Sequence, residues 1–121
     1  MDFSLSGELL DLQSRIGDFI REEIIPLEND PRQDAHGPSM AFCRELQEKG
    51  KNAGLWSLHA PKKYGGQGLD HVGRSVVLEA AGYSLLGPIA LNVMPGEGDH
   101  HMLEIIATEE QKDRWLKPLI D

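Results

Sequence analysis

Residues Gly54–Leu69, GLWSLHAPKKYGGQGL, decide the fold. They separate two segments of helical periodicity and cannot themselves form a long helix. Pro61 has no N–H to donate, and the Gly65-Gly66 pair carries a backbone-entropy cost in any regular element. Nor is the stretch a solvated linker, because Leu55, Trp56, Leu58 and Tyr64 are large groups that favour burial. A long connection with its own apolar anchors is ordinarily functional or architecturally specific.

On the N-terminal side, Leu9, Leu12, Ile16, Phe19 and Ile20 recur at steps of three and four, the mark of one buried helical face. Asp11, Arg15, Asp18, Arg21 and Glu22 fill the opposite side. Ser6 is suited to cap the start, with Glu8 in the first turn, and Pro26 should end or kink the helix at Ile25. Residues 28–37, ENDPRQDAHG, read as a loop. A second helix is expected from about Ser39 to Ala53, with Phe42 and Leu46 inward, Cys43 as a small buried hydrophobe and Gly50 as a weak point. Gly54 and Leu55 then fit the residues that close a helix in a left-handed cap.

On the C-terminal side, Asp70 should cap a third helix over about His71–Leu85. Val72, Val76, Val77, Leu78, Ala80, Ala81, Tyr83 and Leu85 make it apolar nearly all round, so the middle of a bundle is its expected place. Residues 86–98 read as a short helix or irregular segment, and Asp99–Ala107 as a short helix. Thr108 and Gln111 match a capping box before a last helix carrying Trp115, Leu116, Leu119 and Ile120, with Pro118 disturbing its end. No strand alternation or repeat is visible. The expectation is all-α: an orthogonal or up-down bundle of four to five principal helices, one domain spanning residues 1–121.

The charge is −8 and hydrophobic residues make up 40% of the 121, enough for a core. Acidity disfavours nucleic acid and anionic membrane surfaces, whose recognition rests on Lys and Arg. The longest uncharged run, Ala80–Gly96, contains two prolines and is a poor membrane span. Met1-Asp2 opens no secretory signal. Cys43 is the only cysteine, which fits a reducing compartment. The sum is a soluble intracellular domain, cytoplasmic by expectation.

Candidate chemistry is sparse. His36, His59, His71, His100 and His101 show no H-E-x-x-H spacing, and adjacent His100 and His101 diverge by about 100° on a helix. His100 and His101 are expected to be two surface residues near a helix start, and no metal site is assigned. Glu79, within the apolar third helix, is expected to be buried and paired with a basic group or backbone donors. The Tyr64–Gly68 glycines fit neither a Walker loop nor G-x-G-x-x-G after a strand. There is no nucleophile elbow. No catalytic residue is assigned.

Four ordered motifs resemble the N-terminal helical domain of the acyl-CoA dehydrogenase family. They are P-x-x-Y-G-G-x-G at Pro61–Gly68, the helix SVVLEAAGYS, the run TEEQKDRWLKPL, and the opening SLSGELLDLQSRIGDFIREEIIPLE with its closing I-P. The run NVMPGEGDHHMLEIIAT is similar to the long-chain-type branch that includes human family members ten and eleven. The resemblance covers essentially the whole chain. It implies a helical domain ahead of a β-barrel domain and a C-terminal helical bundle. It also implies FAD as cofactor, acyl-CoA as substrate and electron-transfer flavoprotein or a similar acceptor as partner. The flavin-contacting segment and the usual catalytic glutamate lie beyond the matched region, so the chain alone is expected to be inactive and to bind no FAD. The segment after the third helix walls the acyl pocket in the family, which makes Leu91, Val93 and Met94 the implied wall residues; Asn92 breaks that apolar run. Flavin-binding residues are not assigned. Other readings are a stand-alone helical interaction module and one subunit of a split dehydrogenase. Apolar surface left uncovered predicts self-association.

Overall fold

The computed structural model describes residues 4–93 and 98–121, so Met94 lies outside the described residues. Helix α1 (Gly7–Phe19) is capped by Ser6, whose hydroxyl accepts from the Leu9 N–H at 3.3 Å. It buries Leu12, Ile16 and Phe19 on one stripe. Pro26 does not stop the coil at Ile25. The path widens into a π turn, Ile20–Ile24, and tightens into a 3-10 turn, Ile25–Leu27. A proline ring collides with the carbonyl four residues back, and a π turn relieves this by moving the closing bond one residue further. Here Ile25 N–H donates to the Ile20 carbonyl. The same device precedes Pro118: Lys117 N–H donates to the Lys112 carbonyl across the π turn Lys112–Leu116.

The expected loop holds a small strand pair, β1 (Gln33–Asp34) and β2 (Gly37–Pro38), antiparallel and too short to show as alternation in the sequence. Arg32 ties this segment to α2 (Met40–Asn52): its guanidinium reaches Asp30 at 2.7 Å and Glu45 at 2.6 Å, and lies over the Phe42 ring at 4.3 Å. Helix α2 buries Phe42, Leu46 and Gly50, four residues apart, while Cys43 is half-buried rather than enclosed. It ends in a Schellman motif. Gly54 N–H donates to Lys51 O and Leu55 N–H to Gly50 O, both at 3.0 Å, with Gly54 at φ 69 and Leu55 buried behind it.

Helix α3 (His71–Ala81) starts at Asp70, whose carboxylate accepts from the Gly73 N–H at 2.8 Å. It packs on α1 and buries Gly73, Val76, Val77, Ala80 and Ala81. The enclosure expected of this helix is not met. Val72 and Leu78 are exposed, and so are Tyr83 and Leu85 just beyond it. Glu79 shares the open face instead of a buried ion pair. At 3.6 residues per turn, positions 72, 75, 79 and 82 line one side, while α1 and α4 (Gly87–Leu91) occupy the other.

Helices α5 (Gly98–Ile106), α6 (Glu109–Gln111) and α7 (Lys117–Ile120) complete the chain. The Thr108–Gln111 capping box is present in full: the Gln111 N–H reaches the Thr108 hydroxyl, and the Gln111 side chain accepts from the Thr108 N–H. The principal helices are α1, α2, α3 and α5, of 13, 13, 11 and 9 residues, and the fold is all-α as expected. The main core joins Ile16, Ile20, Ile24, Phe42, Leu46 and Leu91. A smaller one, Ala60, Leu116 and Ile120, sits under the 54–69 loop and is flanked by Tyr64 and Leu103. No helix among the described residues is long and apolar enough to cross a membrane.

Candidate functional site

The 54–69 loop, the 91–93 segment and the end of α7 meet at one node. Ser57 and Asn92 are the two non-glycine residues with positive φ among the described residues, at 49° and 57°. Asn tolerates this region better than most residues; Ser gains less from it. Each is held by hydrogen bonds. Ser57 N–H donates to Leu91 O at 3.0 Å, and Asn92 Nδ2 donates to Ser57 Oγ at 2.7 Å. Asn92 Nδ2 also donates to Leu119 O at 2.8 Å, and Ser57 Oγ donates to Ile120 O at 3.0 Å. Trp56 Nε1 adds a third donor to the end of α7, reaching Ile120 O at 2.7 Å. A helix C-terminus has carbonyls with no partner inside the helix. Trp56 and Ser57 satisfy the Ile120 carbonyl of α7, and Asn92 that of Leu119. The sequence reading did not single out Ser57 or Asn92 as a pair. The available signal was an Asn interrupting an otherwise apolar run.

Of the implied acyl-wall residues, Leu91 and Val93 lie in the main core, buried against the chain's own side chains. The left-handed turn at Asn92 directs the amide away from that core toward Ser57 and α7.

The glycines of the loop shape the chain rather than a ligand cradle. Gly65 at φ 94 and Gly68 at φ 60 need glycine's freedom. A side chain on Gly66 would strike the Ala60 carbonyl, and Gly68 faces the Lys62 stem. Gly66 and Gly68 are thus closed off by the chain itself, while Gly65 has open space beside it. Beside it, an open cavity of about 420 Å³ is lined by Lys51, Trp56, Tyr64, Gln67, Ile120 and Asp121, with the Lys51 ammonium 4.8 Å from the Trp56 ring centre.

Of the two histidines expected at the surface, His101 lies there and His100 does not. His59 and His100 are buried, at 4% and 7% exposure, with rings stacked 10° from parallel and His59 Nε2 3.1 Å from His100 Nδ1. His101 is exposed, 3.8 Å from Glu104. The loop creates this pairing by carrying His59 onto the first turn of α5, which no local spacing discloses. Burial, reinforced by His100 and Arg74, pushes the His59 imidazole down to about 4. No group of three or more metal-ligating side chains occurs among the described residues.

Several large apolar side chains remain open. Val72, Leu78, Tyr83 and Leu85 are exposed on α3 and just beyond it, Leu85 at 93%. Met102, Ile105, Ile106, Trp115 and Leu119 are exposed along the C-terminal helices, Ile105 and Ile106 at 69% each.

Comparisons with known proteins agree with this architecture. The family model for the acyl-CoA dehydrogenase N-terminal domain matches residues 6–121. The "Probable acyl-CoA dehydrogenase FadE2" of Mycobacterium tuberculosis is 33% identical, over 100% of this chain and 31% of that protein. Acyl-CoA dehydrogenase family member 10 of Mus musculus is 35% identical, over 97% of this chain and 12% of that protein. A solved Mycobacterium abscessus structure assigned to an acyl-CoA dehydrogenase superposes with a TM-score of 0.79 at 29% identity, covering 98% of this chain and 32% of that one. The chain thus spans a third or less of the relatives it matches. By its sequence and its helical fold, it belongs to the acyl-CoA dehydrogenase family, as that family's N-terminal domain.

Proposed function

We propose that these residues serve as the N-terminal domain of a flavin-dependent dehydrogenase that introduces an α,β double bond into acyl-CoA thioesters. The observation that carries this reading is the family match from residue 6 to residue 121, on a fold that leaves large apolar side chains open on and after α3 and along the C-terminal helices. Isolated soluble domains rarely expose large contiguous apolar patches unless something docks there. The α3 face and the α5–α7 face are the surfaces on which the flavin- and thioester-binding parts of the enzyme would rest.

In this role the domain covers the flavin and acyl pocket and contributes no catalytic group. FAD, where bound, supplies the hydride acceptor, and an electron-transfer flavoprotein or similar acceptor reoxidises it. This chain's own residues exclude water and shape the acyl end. Leu91 and Val93 hold the pocket-wall segment from within, since their side chains fill the core, and Met94 is proposed as the wall residue beside them. Alone, the domain would neither hold FAD nor turn over substrate, and its open faces would drive self-association. A reducing, cytoplasmic setting suits its single cysteine.

The experiment is a dye-reduction assay with acyl-CoA on the purified 121-residue chain and on the same chain with its natural companions. Activity only in the second supports the reading. Activity of the isolated chain overturns the claim that it is inactive alone.

A further inference from the structure

We draw no further inference here: the strongest candidate, the open cleft between the 54–69 loop and the end of α7 where the Lys51 ammonium lies over the Trp56 ring, carries nothing because nothing in the structure shows what covers it.

Discussion

Asn92 donates to Ser57 at 2.7 Å, and these two residues, 35 apart in sequence, carry the two non-glycine left-handed backbones among the described residues. Strain on each side of one short hydrogen bond marks the point where the 54–69 loop, the 91–93 segment and the end of α7 are joined. Alanine at position 92 keeps the strain and loses both donors, whereas glycine loses the donors alone. Asn92→Ala should destabilise by about 3 kcal/mol and Asn92→Gly by about 2 kcal/mol. Urea denaturation checks the order, and Asn92→Ala no worse than Asn92→Gly would remove the left-handed strain from the account.

Two glycines make a second contrast. A methyl group on Gly50 would overlap the Ala90 carbonyl, where α2 crosses α4. Neither is a flexible side-chain end, so the helices must separate, and Gly50→Ala should cost about 3 kcal/mol or more. Gly54 has open space around it and only its φ of 69° to lose. Gly54→Ala should therefore cost about 1 kcal/mol. Equal losses in thermal or urea unfolding would contradict the close crossing.

The buried His59 makes stability depend on pH. Its imidazole titrates near 6.5 when unfolded and about 4 when folded, because burial and then His100 and Arg74 disfavour the charged form. Above pH 6.5 both states are neutral, and this group adds no pH dependence. Between 6.5 and 4 the unfolded chain takes up a proton that the folded one excludes, so stability falls as pH falls. The slope from this group is at most about 1.4 kcal/mol per pH unit. Unfolding at pH 7 and pH 5 should show a smaller difference in His59→Leu than in the natural protein. An identical difference would show that His59 carries no part of it.

The open apolar faces are tested by charge. Leu85→Asp and Ile106→Asp alter residues that are 93% and 69% exposed. Their effect on folding stability should lie within about 0.5 kcal/mol. If the isolated chain associates through these faces, sedimentation should show it self-associating and both variants shifted toward monomer. A clean monomer of the unsubstituted chain at high concentration would speak against association.

Much of this architecture was legible from local signals. Ser6, Asp70 and Thr108 cap helices as their types and positions suggest, Ser39 caps α2 rather than starting it, and the Gly54–Leu55 pair closes α2. Periodicity placed Ile16 and Phe42 in the core. What it could not supply was the identity of the neighbour. Glu79 and Leu78 stand on a side of α3 that this chain leaves open, and the helix's apolar composition alone does not show which side that is. His59 and His100 are partners because a loop folds back over 41 residues. Pro26 and Pro118 do disturb their helices, but the form of the disturbance, a π turn ahead of each that lets the coil continue, is not encoded in the proline itself. The Ser57–Asn92 node depends on two backbones in a rare conformation meeting a helix end, a relationship that composition and spacing do not encode.

The most direct test of the central claim is spectroscopic. The protein is isolated from its own organism, with whatever these 121 residues are joined or bound to, and mixed with acyl-CoA thioesters in the absence of oxygen. The account predicts a yellow preparation whose flavin absorbance bleaches on thioester addition as the substrate is oxidised. A colourless preparation, or a flavin that no acyl-CoA reduces, would contradict it.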